Sequence, residues 1–253
     1  MFRLLKALPL ASAIVAIVAL GLFAASCNSS NHALVRVINA IPDASGPLDV
    51  YINGTNGTKI PALGFQAVYP TQQSNQSAVY NPVPSGNDTI TAYVSGTTID
   101  PVNNGSTSLG GSTQYTVILQ GYAASNNAPS VLTDNNTAPA SGYLQFRVIN
   151  ASPSWPSGSA DIYIYEVGGG VPASPTIAGL TLGQGQYVPA ISSFAGGFTV
   201  YVTAHGAGNN GIAYVNQNYT PATGSITTLV LVDNSSQNGG GPSAFPIDLT
   251  DLQ

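Results

Sequence analysis

Val35 to Asn53 reads VRVINAIPDASGPLDVYIN, and Phe146 to Tyr165 reads FRVINASPSWPSGSADIYIY. The same strand, turn and second strand return about 110 residues apart. In both copies an arginine (Arg36, Arg147) stands second and Ile-Asn-Ala closes the first strand. A proline follows two residues on, and an aspartate (Asp49, Asp161) opens a second strand rich in Tyr and β-branched residues. Apolar and polar residues alternate along these runs, which is the period of a strand with one buried face. The chain therefore reads as a tandem of two like domains.

Outward from the two copies, apolar runs of five to eight residues with a period of two continue from Leu34 onward, separated by Gly, Pro, Asn, Asp and Ser. No segment of helical length has a 3.6-residue period, so the fold class is all-β. In Thr89–Val94 the residues Ile90, Ala92 and Val94 are expected inward, and Phe198, Val200 and Val202 match them in the second copy. Thr116-Val117-Ile118-Leu119 likewise corresponds to Thr228-Leu229-Val230-Leu231. About seven strands per copy fits a β-sandwich of immunoglobulin-like type, with a small barrel as the other possibility. The expected boundaries are residues 34–137 for the first sandwich, 138–142 (Ala-Pro-Ala-Ser-Gly) for a linker and 143–253 for the second.

Residues 1–26 read as an export signal. Arg3 and Lys6 precede an uncharged apolar run from Ala7 to Phe23, and Ala24-Ala25-Ser26 are small enough for a signal peptidase. Cys27, the single cysteine, follows at once. Phe23–Cys27 resembles a bacterial lipobox with Ala24 where Leu is usual, which makes Cys27 the expected lipidation site, receiving diacylglycerol with acyl chains of the palmitate kind. Residues 27–33 would then be a lipidated tether. An uncleaved anchor and an ordinary secretory signal are the other readings, although Pro9 and a length of about 17 residues are poor for a spanning helix. A lone cysteine also leaves core burial, not disulfides, to hold the fold.

Without residues 1–26, three basic residues (Arg36, Lys59, Arg147) face ten acidic ones, 3 − 10 = −7. Such a balance excludes nucleic acid as a partner, because backbone recognition needs a basic stripe. Cofactor chemistry finds no support either. Gly168–Gly170 and Gly239–Gly241 are followed by Val-Pro and Pro-Ser, not by the helix start that a phosphate cradle requires.

Catalytic and metal constellations are equally thin. His32 and His205 are the only histidines, neither accompanied by a nucleophile elbow, and no cluster with zinc-ligand spacing exists. Asp100, Asp134 and Asp233 each adjoin asparagines that could bind calcium, but turn chemistry explains such runs and no metal is expected. Glu166 is the only glutamate, leaving a glycosidase pair without an obvious second acid.

Two expectations concern specific side chains. If Val35, Val37, Val50 and Ile52 face the core, Arg36 and Asp49 share the opposite face, as do Arg147 and Asp161. The pattern predicts an Arg36–Asp49 and an Arg147–Asp161 ion pair, exposed and worth about 0.2–1 kcal/mol each, or else two solvated charges. Trp155, the only tryptophan, lies between Pro153 and Pro156 and is the candidate ligand contact, the alternative being a ring folded over the sandwich end. Tyr51 and Tyr163 occupy equivalent positions and read as sheet-face residues or, less simply, as sugar platforms.

The VRVINAxPDA…LDVYIN pattern, with a later YTVIL strand, resembles the bacterial secreted family known as domain of unknown function 4397. That resemblance implies an exported, often tandem β-sandwich of envelope lipoproteins and surface proteins, with no catalytic residues to carry over. The second copy departs from it at Ser154-Trp155-Pro156, where the first has Asp43-Ala44-Ser45. The expected function is a non-catalytic, lipid-anchored envelope module acting as spacer, adhesin or binding subunit. Its partners would be the membrane, through the lipid, and an envelope glycan or protein, with the outer membrane favoured over the inner. The rival reading is a carbohydrate-active enzyme or its sugar-binding accessory.

Overall fold

Alternation along β1 (His32–Asn39) sends Val35 and Val37 to one side and Arg36 and Ile38 to the other, and both sides are buried. That double burial organises the molecule. The computed structural model describes residues 32–53, 57–72, 78–102, 105–125, 127–233 and 245–252, with the backbone alone for 245–250 and 252. The expected signal peptide and Cys27 lie outside the described residues.

In chain order the first half forms β1, β2 (Leu48–Ile52), β3 (Thr58–Leu63), β4 (Val68–Tyr69), β5 (Asn81–Pro84), β6 (Gly86–Val94), β7 (Gly105–Leu109), β8 (Gln114–Leu119) and β9 (Ser130–Thr133). The second forms β10 (Tyr143–Asn150), β11 (Ser159–Glu166), β12 (Ile177–Thr181), β13 (Gly185–Tyr187), β14 (Ile191–Ser192), β15 (Phe198–Ala204), β16 (Val215–Tyr219), β17 (Ile226–Val232) and β18 (Phe245–Leu252). One sheet of the first half runs β4-β1-β8-β9, with β5 also on β1, and its counterpart runs β13-β10-β17-β18, with β14 also on β10. The other two sheets, β3-β2-β6-β7 and β12-β11-β15-β16, match each other strand for strand. The fold is all-β, built as two sandwiches, and the central pairs β1–β8 and β10–β17 are parallel.

Each sandwich fills its own interior. Val35, Val37, Val117 and Leu119 meet Val50, Ile52, Ile90 and Ala92 in the first. Phe146, Val148, Leu229 and Leu231 meet Ile162, Phe198, Val200 and Val202 in the second. A third cluster lies between the sandwiches, where Ile38, Ala40 and Ile118 pack on Ile149, Ala151, Val230 and Val232. Fully burying a Val or Ile contributes about 1.5–3 kcal/mol, so this seam holds the two halves together. Gly183 lines its rim at φ +78°, where a Cβ would collide with Ser130 and Gln120 of the first sandwich.

The aspartate of the repeat marks a β-bulge. Between Leu48↔Leu63 and Val50↔Ile60, Asp49 alone opposes Pro61 and Ala62, and Asp161 likewise opposes Ala178 and Gly179. An extra residue leaves an N–H outside the ladder. Ala62 N–H donates to Asp49 Oδ1 at 2.8 Å, and Gly179 N–H to Asp161 Oδ1 at 2.8 Å. The asparagine then ties the sandwich end shut: Asn39 Nδ2 donates to Leu63 O at 3.0 Å and Asn150 Nδ2 to Leu180 O at 2.8 Å.

Several sequence-based boundaries shift. β1 begins at His32, with Ala33 fully buried, so the end of the expected 27–33 tether belongs to the first strand. β3, interrupted by Pro61, and the polar strands β7 and β16 carry no period-two apolar pattern in the sequence. β7 (GSTSL) and β16 (VNQNY) are sheet edges whose Ser, Thr, Asn and Gln give almost no apolar alternation to read. β5 carries Pro82 and Pro84, tolerated because their missing N–H groups fall on a strand edge.

Candidate functional site

The two arginines do not meet the aspartates expected for them. β1 and β2 belong to different sheets, and Arg36 points into the seam while Asp49 stays in its bulge. Asp49 pairs instead with Lys59 Nζ at 2.9 Å. In the second sandwich Asp161 Oδ1 lies 2.7 Å from His205 Nδ1, and Gly206 N–H donates to Oδ2. Arg36 and Arg147 are almost fully buried, where the repeat pattern had placed them in solvent. The expectation failed because the face opposite the core, wet in an isolated sandwich, is covered here by the other sandwich.

The true partners are Asp134 and Asp251. Thr116 stands beside Arg36 in the parallel register and donates to Asp134 at 2.7 Å. Thr228 stands beside Arg147 and donates to Asp251. Each threonine thus aims the aspartate of its own sandwich. Each arginine reaches the opposite one, Arg36 to Asp251 at 2.5 Å and Arg147 to Asp134 at 2.5 Å, while Arg36 also touches Asp134 at 3.4 Å. The guanidiniums lie over Tyr80 (5.6 Å) and Tyr187 (5.0 Å), which cap the tetrad against water. Burial alone would lower the Arg36 pKa, but Asp251 and Asp134 outweigh it and hold the group charged. A signal for these aspartates stands in the sequence: Leu132-Thr133-Asp134 and Leu249-Thr250-Asp251 are the same tripeptide at the end of each half.

A second contact closes the far end of the seam. Asp233 accepts hydrogen bonds from Ser152 and Ser154 of its own sandwich and from Tyr122 of the first. Asp43 accepts Ala123 N–H at 2.8 Å within the first sandwich. The Asp43–Ser154 difference between copies therefore serves local turn closure on one side and the seam on the other.

Trp155 is not an exposed contact. It is 4% accessible, packs edge-on against Tyr214 at 5.2 Å and donates from Nε1 to Asn150 Oδ1 at 2.9 Å. The ring belongs to the core of the second sandwich, and its candidacy as a ligand contact is withdrawn.

The aspartates weighed as calcium oxygens accept from backbone and side-chain donors: Asp100 accepts Val102 N–H, and Asp134 and Asp233 serve the seam. Among the described residues no cluster of three His, Cys, Asp or Glu side chains could hold a metal. Two clefts, of about 230 Å³ beside Ile90, Thr107 and Pro129 and about 340 Å³ beside Leu132, Leu180 and Gln184, have no titratable lining residue. His205 is oriented by Asp161, whose pKa burial would raise but whose bonds from His205, Gly179 and Gly206 lower it overall.

Among the described residues, one sheet face of the first sandwich carries half-buried aromatic rings. On β2 and β6 the half-buried Tyr51 and Tyr93 rings stand 5.9 Å apart at 65°, with Lys59 Nζ 5.4 Å from the Tyr51 centroid. The same face of the second sandwich pairs Tyr163 with Tyr201 at 5.9 Å, but these are only 1% and 9% accessible. There the segment after β15 folds across, with Tyr201 OH donating to Gly211 O and Asn209 donating to Val171 O. Tyr51 was readable as a sheet-face tyrosine, whereas Tyr93 and Lys59 became visible as its neighbours only through the strand register.

A model of the family described as Domain of unknown function (DUF4397) matches residues 33–163, just over half of the 253 residues. It is a single match, covering the first sandwich and running on to Tyr163, where the motif resemblance had placed a copy in each half. No curated protein matches the chain. Among solved structures, the Bacillus anthracis TIE protein is similar at a TM-score of 0.24 and 9% identity. That likeness covers 80% of this chain and 34% of the other, so this chain spans about a third of its length. CBMbc (family CBM26) from Eubacterium rectale Amy13K, crystallised in complex with maltoheptaose, is similar at a TM-score of 0.25 and 13% identity, over 78% of this chain and 91% of that one.

Proposed function

The chain belongs to the DUF4397 family, and from that premise we propose that it is a non-catalytic, lipid-anchored binding module of the bacterial cell envelope. The observation that carries this reading is the seam. Arg36, Arg147, Asp134 and Asp251 are spent on joining the two sandwiches, and the signature Asn and Asp residues are spent on closing each sandwich. A joined pair of sandwiches on a lipidated Cys27 holds its outer faces near a membrane, which is what a spacer or adhesin needs. The outer membrane is the favoured site.

Fractionation of cells producing the native chain and Cys27→Ser tests the anchor. The native protein is expected with the membranes and in the detergent phase, and the variant in the soluble exported fraction. Unchanged partitioning of Cys27→Ser would remove the anchor from the proposal. Release of reducing sugar from polysaccharide by the purified protein would replace the module with an enzyme.

A further inference from the structure

The open outer face of the first sandwich has a composition that narrows what can sit on it. Tyr51 and Tyr93 offer rings with polar edges, and exposed Asn87, Thr89, Ser106 and Ser108 fall on the same face by the β6–β7 register. None of the large hydrophobic side chains exposed among the described residues, Val79, Ile99, Tyr143, Phe194 and Ile212, lies there. A protein interface would be expected to bury an aliphatic or aromatic centre free of such a hydroxyl and amide border.

Charge narrows it further. Among the described residues Lys59 is the one lysine or arginine with an exposed side chain, because Arg36 and Arg147 are buried in the seam. Its ammonium is already neutralised by Asp49, so the face is close to uncharged on a chain of formal charge −5. Polyanions gain nothing from such a surface. Rings that stack on the C–H face of a pyranose, bordered by hydroxyls and amides that exchange hydrogen bonds with its hydroxyls, fit a neutral sugar chain. The second sandwich supplies an internal contrast, since the tyrosines on its corresponding face, Tyr163 and Tyr201, are covered by its own chain.

We infer that the Tyr51–Tyr93 face of the first sandwich binds a neutral polysaccharide, an inference that rests on the binding-module reading and names its ligand class. The test is affinity electrophoresis of the full chain through gels containing xylan, glucomannan, amylopectin or glycol chitin, with alginate as the acidic comparison. Retardation by at least one neutral polymer is expected. Tyr93→Ala should raise the dissociation constant at least tenfold, Tyr93→Phe should keep binding, and Phe194→Ser on the second sandwich should leave it unchanged.

Should Tyr93→Ala unfold, Thr89→Glu places a charge on the face without touching the rings and is expected to abolish retardation. No retardation in any neutral gel, retardation by alginate alone, or retardation indifferent to both Tyr93→Ala and Thr89→Glu would overturn the inference. Membrane partitioning through Cys27 is read separately, so failure here leaves the anchored-module reading to its own test.

Discussion

Asp134→Asn removes one charge from a tetrad of two arginines and two aspartates, taking from Arg147 its carboxylate partner while Arg36 keeps Asp251. The substituted carboxylate is fully buried and accepts from Arg147 at 2.5 Å, Thr116 at 2.7 Å, Tyr80 at 2.8 Å and Arg36 at 3.4 Å. Breaking a buried pair by removing one partner costs about 3–5 kcal/mol, because the surviving charge stays desolvated. For a chain of this size each kcal/mol moves Tm by about 2–4 °C, so a fall of about 6–20 °C is expected. Urea denaturation with circular dichroism gives the free energy directly. The double variant Asp134→Asn/Arg147→Met restores charge balance and should recover part of the loss, giving a coupling energy well above that of a surface pair. A single-variant loss below about 1 kcal/mol, the range of exposed pairs, would show that water screens the tetrad and that the seam is held by Ile38, Ile118, Ile149 and Val230 alone.

Other outcomes follow from single residues. Trp155→Ala should cost about 3–5 kcal/mol as a buried aromatic deletion. Because Trp155 is the only tryptophan, its emission in the native protein should be blue-shifted and resistant to acrylamide quenching. Asp88 is buried, and its carboxylate oxygens lack a well-formed hydrogen bond among the described residues, the Asn53 side chain being the polar neighbour that favours the charged form. Burial raises its pKa, only partly offset by the Asn53 side chain, so its ionised form opposes folding. Asp88→Asn should therefore raise Tm at pH 7, with the gain vanishing as pH falls below the unfolded value of about 3.9. Asp49 has the opposite sign, its pKa lowered by Ala62 N–H and Lys59. Its contribution is present above about pH 3.9 and lost as pH falls through the lower folded value. Denaturation curves of Asp49→Asn from pH 6 to pH 2.5 should accordingly show a flatter acid limb than the native protein.

The alternation in VRVIN and DVYIN was enough to place the central strands, the two sandwiches and inward residues such as Ile90 and Val200, because burial on one face leaves a period of two in the sequence, whereas the polar edge strands β7 and β16 carry no such signal. It misled about the other face. A strand covered on both sides by different layers keeps its polar residues only where they find buried partners, and Arg36 looks identical in sequence whether its neighbour is water or Asp251. The repeated Leu-Thr-Asp at 132–134 and 249–251 held the missing information, but pairing it with the arginines required knowing that the halves face each other. Trp155 failed for a related reason: a tryptophan between two prolines reads the same in sequence whether its ring faces solvent or, as here, the core. The Tyr51–Tyr93–Lys59 grouping depends on a register across three strands, which no local pattern contains.

The crossed Arg–Asp contacts give the seam the geometry of an isologous dimer, in which like patches of two subunits meet around a two-fold axis. Here both patches belong to one chain, joined by residues 134–142. A short connection holds its ends at an effective concentration in the millimolar range. Diluting the protein should therefore leave the two sandwiches together, where two separate copies meeting by the same contacts would come apart. Chains mixed at equilibrium should likewise exchange no halves, so the spacing between the two outer faces is a property of each molecule and not of how many molecules surround it.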